Sequence, residues 1–256
     1  MIFIDCEQGT EEWHLARCAT ITASRFADAI KMVGGLDERQ TAYVEAVRSG
    51  VDHKDAALAA GYKVKPSSAI VMRALEGKDT RSPSDEAVRY SCDIAIERIS
   101  NRPHGEPPKA WVLARGHEME VKARMAYEVL TGAMATEAGI CKTNCGIFGY
   151  STDGFVDDDG LIEIKAPIDS QKIMTMLETG DVSEYIHQMQ GGMWITGRMW
   201  CDFIMYVPEL ESVGKALYIK RIHRDDVFID AMVESLMLFE RMASRNEAIL
   251  RMPIAA

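Results

Sequence analysis

Glu163 and Lys165 stand two apart in a short apolar run, LIEIKA at 161–166, which a DDDG turn precedes and Pro167 ends. Side chains alternate between faces along an extended strand, so this acid and this base share one face while Ile162 and Ile164 occupy the other. The segment 146–156, GIFGYSTDGFV, is a second strand candidate. A hairpin turning on Asp157-Asp158-Asp159-Gly160 sets Asp153 opposite Glu163 to within a residue. Opposed residues on one sheet face have Cβ atoms about 4.5 to 5.5 Å apart. Two carboxylates that close repel unless a cation lies between them, and a hard divalent ion bound by oxygens is the obvious candidate. A cross-strand salt bridge with Lys165 is the plainer alternative, and Asp157 to Asp159 read as a solvated turn.

The rest of the chain reads as α/β. Helical patterns run over 10–33 around Trp13, from Ser84-Asp85-Glu86 to Ile99, and over 110–131, with NRPHGEPP at 101–108 as a loop. Beyond Pro167, helices are expected at 168–178 and 183–197, strands at 200–207 and 215–222, and a final amphipathic helix at 226–244. That order predicts a mixed sheet flanked by helices. Between Gly34 and Ser84 the pattern breaks into three short helical pieces, with Gly50 and Gly61 as stops and Asp52 and Ser67 as N-caps. This reads as a small all-helical, helix-turn-helix-like insert at 34–84, within a domain made of 1–33 and 85–256.

Glu120 adds a third acid. The stripe Leu113, Gly116, Glu120, Ala123, Tyr127, Leu130 is small or apolar except at Glu120, and a lone carboxylate facing inward wants a partner. An i,i+4 pair with Arg124 on a solvated face is the alternative. Carboxylate-held Mg²⁺ beside a lysine suits phosphodiester hydrolysis: the ion activates water and neutralises the leaving oxygen, and the lysine steadies or deprotonates that water. A serine hydrolase fits worse, because GYSTD lacks the second glycine of G-x-S-x-G. The six cysteines are scattered, with only Cys141 and Cys145 close together, and read as reduced thiols rather than a zinc or iron–sulfur site. No apolar run reaches the roughly 18 residues of a membrane span, and the start MIFIDCEQGTEEW lacks the features of a signal peptide, so a cytoplasmic protein without membrane contact is expected.

The string Asp153-(x)9-Glu163-x-Lys165 resembles the PD-(D/E)xK nuclease core, and its surroundings are similar to the lambda exonuclease and YqaJ-like viral recombinase family. Four blocks carry the likeness in family order: GTEEWHLARCATITASRF at 9–26, GHEMEVKARMAYE at 116–128, GYSTDGFVDDDGLIEIKAP at 149–167 and YIHQMQGGMWITGRMWCDFIMYVPE at 185–209. The resemblance implies a restriction-endonuclease-like mixed sheet and a Mg²⁺-dependent 5′→3′ exonuclease on double-stranded DNA ends, with Mn²⁺ able to substitute. It implies metal ligation by Glu120, Asp153, Glu163 and the Ile164 carbonyl, with Lys165 as the catalytic lysine and Gln188 ordering the site. It also implies a 5′-phosphate clamp of Arg17, Ser24 and Ser151, a homo-oligomeric ring (a trimer or similar), and a single-strand annealing protein that takes the 3′ overhang. Thr152 replaces the family's proline, which is expected to loosen the turn before Asp153.

The insert resembles the helix-turn-helix of phage terminase small subunits, in which a helix ending A-A-x-x-A-G-Y precedes the recognition helix. Lys63, Lys65 and Arg73 are then possible DNA contacts, and helical packing or subunit contact is the competing role. Two rival readings of the whole chain are a structure-specific or single-strand nuclease with the same core, and a non-catalytic DNA-binding protein acting through the insert. A net charge of −10 excludes passive attraction of a polyanion. Affinity for DNA must come from a few placed cations and bound metal, so binding without metal is expected to be weak and salt-sensitive.

Overall fold

The computed structural model describes residues 1–105 and 110–253. The chain order is β1 (Ile2–Ile4), α1 (Glu11–Arg17), β2 (Ile21–Thr22), α2 (Phe26–Ala29), β3 (Met32–Gly34), α3 (Glu38–Arg48), α4 (His53–Ala59), α5 (Ala69–Leu75), β4 (Arg81–Pro83), α6 (Asp85–Ser100) and α7 (Ala110–Thr131). It continues with β5 (Ala135–Thr136), β6 (Ile140–Lys142), β7 (Phe148–Tyr150), β8 (Gly154–Val156), β9 (Gly160–Lys165), α8 (Ser170–Thr179), α9 (Ile186–Thr196), β10 (Trp200–Tyr206), β11 (Leu217–His223) and α10 (Asp226–Leu250). Two compact units result, Met1–Ile30 with Arg89–Ala256, and Lys31–Val88.

The larger unit holds a five-stranded sheet in the order β11-β10-β9-β8-β5 and a four-stranded sheet in the order β1-β6-β7-β2. In the first, β9 and β10 run parallel and the other pairs antiparallel. Strand β9 is buried on both faces as far as Ile164. Leu161 packs with Cys201, Phe203 and Met205 in the main core under α9 and α10. Ile162 and Ile164 pack on the other side against Ala123 and Tyr127 of α7.

That second face closes on a polar clasp. Tyr127 donates to the Asp202 carboxylate at 2.8 Å, and Arg221 forks onto the same carboxylate with two bonds of 2.8 Å. Asp202 is buried and Arg221 lies over the Trp200 ring. Burial and Asp202 push the Tyr127 phenol far above its ordinary range. The clasp ties α7, and with it Glu120, to β10 and β11.

Several expectations need correction. The 10–33 helix is broken: Ala19 takes a positive φ of 59°, and Ile21–Thr22 then pairs in parallel with β7. Past the break Thr20, Thr22 and Ser24 line a pocket with Arg17. The 146–156 strand is two strands in different sheets, interrupted at 151–153. Its hairpin half pairs Gly154 with Ile162 and Val156 with Gly160, the register that sets Asp153 opposite Glu163 as expected. Thr152 does not loosen the turn: its hydroxyl is buried, lies 2.9 Å from the Gly154 carbonyl and accepts from the Gly154 N–H. Leu130 is exposed, and Leu113 and residues 106–108 of the loop lie outside the described side chains. The DDDG turn is anchored: Trp200 donates to Asp159 at 3.0 Å, and Arg198 donates to the carbonyls of Val156, Asp157 and Gly160. Gly160 is required there, since a Cβ would stand 2.1 Å from the Trp200 ring.

In the smaller unit, α3 to α5 enclose Tyr43, Val44, Ala56, Ala57, Val71 and Ala74. Asp37 and Gln40 form a capping box on α3, and Asp52 caps α4. The residue at the N-cap of α5 is Ser68 rather than Ser67. Strands β3 and β4 pair antiparallel and bring the two ends of the unit together.

Replacing Arg221 with Met leaves the buried Asp202 carboxylate with Tyr127 as its partner among the described residues. Urea denaturation is expected to show a loss of about 2 kcal/mol, below the roughly 3–5 kcal/mol of a fully buried pair because Arg221 is half exposed. An unchanged midpoint would remove the clasp from the account of stability.

Candidate active site

Strand β9 ends as it leaves the core, so Glu163 is 1 % exposed while Lys165, two residues on, reaches a 30 % exposed side-chain position on the same face. The Glu163 carboxylate accepts from Lys165 Nζ at 2.6 Å and Gln188 Nε2 at 2.5 Å, both on Oε1, and from the Tyr150 hydroxyl at 3.1 Å on Oε2. Gln188 comes from the first turn of α9 and Tyr150 from the end of β7.

Asp153 arrives by another route. Strand β8 stops at Gly154, opposite Ile162, and beyond it the side chain of Asp153 takes over from the ladder: its Oδ2 accepts from the Ile164 N–H at 2.6 Å. The acid is thus hydrogen-bonded to the strand that carries the other acid. Glu120 approaches from α7, half-buried, and lines a cavity of ≈ 450 Å³ with Asp153, Asp5, Glu7, Glu137 and Arg124. Arg124 pairs with Glu137, so the helix-surface alternative for Glu120 is not what forms.

The electrostatics follow from this crowding. Burial, then Glu163, pushes the Asp153 carboxyl well above the usual carboxylate range, and Lys165 only partly restrains it. Burial likewise raises Glu120, against the pull of Lys165 and His117. Burial alone would lower the Lys165 ammonium, but Glu163 and Asp153 more than reverse this, and it stays firmly protonated. Among the described residues no group of three His, Cys, Asp or Glu side chains is gathered closely enough to hold a metal ion as placed. The donor chemistry nevertheless fits a hard divalent cation: hard oxygen donors, like charges that raise one another, and one lysine to offset them.

A second constellation lies next to the first. Arg17 donates to Ser151 Oγ at 3.2 Å, and to Thr22 Oγ1 and Ser24 Oγ at 3.4 Å, while its guanidinium lies 4.3 Å from the centre of the Trp13 ring. Trp13 Nε1 donates to the same Ser151 Oγ at 3.0 Å. Arg17 and Ser24 line a cavity of ≈ 260 Å³. Burial lowers the Arg17 guanidinium, and it has no carboxylate within ion-pair distance among the described residues. A half-buried cation whose side-chain hydrogen bonds among the described residues all go to hydroxyls is suited to an anion.

The structure therefore brings Asp153, Glu163, Lys165 and Gln188 into one cluster, with Glu120 on its cavity wall and Ile164 bonded through its N–H. It brings Arg17, Ser24 and Ser151 into another. Lys63, Lys65 and Arg73 belong to the smaller unit: both lysines are exposed between α4 and α5, and Arg73 donates to the Asp79 carbonyl. Sequence reasoning missed Trp13, Thr22 and Tyr150. Trp13 stands one helical turn before Arg17 and Thr22 two residues before Ser24, spacings that signal shared faces. Nothing in the sequence marks Tyr150 as more than core.

Asp153→Asn keeps an acceptor for the Ile164 N–H and removes the repelled charge. In EDTA at neutral pH the variant is expected to melt about 2–4 °C above wild type, and the gain should vanish in acid. The sign follows from the raised folded-state proton affinity: the ionised carboxylate costs stability above that value and costs nothing below the ordinary one. A lower melting point in EDTA would contradict the crowding.

A family described as YqaJ-like viral recombinase domain matches residues 12–199. A crystal structure of an alkaline exonuclease from Laribacter hongkongensis is similar at 28 % identity and a TM-score of 0.66, over 94 % of this chain and 97 % of that one. The same enzyme, LHK-Exo, in complex with dAMP is similar at 27 % identity and 0.68, over 94 % and 96 %. A phage related exonuclease from Haemophilus somnus shares the fold at 14 % identity and 0.56, over 91 % and 96 %. Among curated proteins, none matches this chain.

Proposed function

We propose that this chain, which belongs to the YqaJ-like viral recombinase family, is a Mg²⁺-dependent exonuclease that digests duplex DNA ends 5′→3′ and leaves a 3′ strand for an annealing protein. Similarity to an alkaline exonuclease supports nuclease chemistry. One observation carries the reading furthest: Ser151, which bridges Trp13 and Arg17, stands two residues before Asp153, which is bonded to β9. Two residues span about 7 Å at most, on the order of one nucleotide step. An end phosphate held by Arg17, Ser24 and Ser151 thus sets the next phosphodiester at the acids, and each cut releases one nucleotide.

Glu120, Asp153, Glu163 and the Ile164 carbonyl would hold Mg²⁺, or Mn²⁺ in its place. When bound, the ion supplies charge neutralisation and an acidified water. The chain's own residues do the remainder. Arg17 offers its planar fork to the terminal phosphate and Trp13 supports the guanidinium from below. Lys165, as an ammonium beside Glu163, donates a hydrogen bond to the attacking water or a phosphoryl oxygen. Gln188 holds Glu163 in place.

Among the described residues no helix is long and apolar enough to cross a membrane, and we place the enzyme in the cytoplasm, as a homo-oligomeric ring around its DNA. Exposed Lys63 and Lys65, neither in an ion pair among the described residues, support a second contact with DNA through the smaller unit. A structure-specific or single-strand nuclease would use the same acids without the Arg17 clamp, so the end chemistry discriminates.

Linear duplex with 5′-phosphate or 5′-hydroxyl ends should be digested by wild type in Mg²⁺ and not in EDTA. Lys165→Ala should lose at least 10²-fold in rate, the scale of one placed proton donor; undiminished activity would sink the mechanism. Arg17→Ala should abolish the preference for phosphorylated ends, and a wild type indifferent to the end would remove the clamp. Lys63→Glu with Lys65→Glu should weaken duplex binding and flatten its dependence on salt; unchanged affinity would reject the insert as a DNA contact.

A further inference from the structure

We infer that Tyr150 is a positioning residue whose hydroxyl sets the orientation of the Glu163 carboxylate and so decides which oxygen acceptor remains for a divalent cation. The inference rests on the assignment of Glu163 as a metal ligand.

The argument starts from acceptor capacity. Each carboxylate oxygen accepts about two hydrogen bonds. Oε1 of Glu163 already takes two, from Lys165 and Gln188, and Oε2 takes one, from Tyr150. Among the described residues one acceptor position is left, and it is on Oε2. The last torsion of a glutamate is a broad, weakly held rotor. The Lys165 and Gln188 bonds hold Oε1, and among the described residues the Tyr150 bond is the one that acts on Oε2, the oxygen with the free acceptor.

Tyr150 is in turn held by an absence. Its side chain is 1 % exposed. A Cβ on Gly192, inside α9, would stand 2.6 Å from ring atoms Cε1 and Cζ, and Cζ carries the hydroxyl. Glycine weakens a helix interior relative to alanine, and at 192 the ring of Tyr150 occupies the space a side chain would need. The neighbouring Gly191 serves a different side chain, since its Cβ would meet Phe26 at 2.7 Å. Helix α9 therefore contributes to Glu163 twice, through the Gln188 amide and through the room it leaves at Gly192.

The test is Mg²⁺ binding without DNA, by isothermal titration, on wild type, Y150F, G192A, the double variant and E163Q, with melting in EDTA as the control for folding. Y150F adds no bulk and is expected to melt within a few degrees of wild type. Its Mg²⁺ affinity should fall about tenfold, on the scale of one lost hydrogen bond to a charged group. The Mg²⁺ concentration for half-maximal digestion should rise by the same factor, with kcat at saturating Mg²⁺ changed less than threefold. G192A should weaken Mg²⁺ in the same direction, and the double variant no further than the worse single one. Y150F with wild-type affinity while E163Q is weakened would overturn the positioning role alone. E163Q binding Mg²⁺ as wild type does would overturn the ligand assignment, and this inference with it.

Discussion

Taking the Glu163 carboxylate out of water costs several kcal/mol, and much of the surrounding architecture is arranged to offset that. Lys165 supplies the charge, Gln188 and Tyr150 supply hydrogen bonds, and each arrives from a different element. Their convergence needs β9 central in its sheet, α9 across one face and β7 beside it. The pair is one that removal of either partner would damage, because what stays behind is an unpaired buried ion.

Four consecutive residues where the two sheets meet show how local this organisation is. Tyr150 points to Glu163, Ser151 to Trp13 and Arg17, Thr152 back to its own turn, and Asp153 to the Ile164 N–H. A continuous strand would have sent alternate side chains to two faces. The break in pairing at 151–153 lets one short stretch serve both the acid cluster and the basic pocket.

Where the signal was periodic and long, the sequence was legible: α7 and α10, the β8–β9 hairpin, and the strand at β10 needed only pattern and turn chemistry. Asp153, Glu163 and Lys165 were legible for the same reason, since alternation along a strand fixes a face, and Glu120 as the one charge on a helical stripe. What escaped was short or decided at a distance. The two- and three-residue strands β2, β5 and β6 carry no period, and the turn at Ala19 looks like helix interior. Thr152 looked like a loosened proline because its buried hydroxyl has partners only in the folded chain. Tyr150 looked like core because its hydroxyl partner is thirteen residues away and on another strand.

The paired strands β3 and β4 have a further consequence. Because Met32 lies opposite Pro83, the chain leaves and re-enters the larger unit at nearly one point. The length between those strands is almost free: closing a longer connection adds only about 0.6 kcal/mol for each doubling. A self-capped helical module can thus be gained, exchanged or lost there while the register of Asp153 against Glu163 is undisturbed. The module and the sheet that carries the acids are in this way open to separate descent.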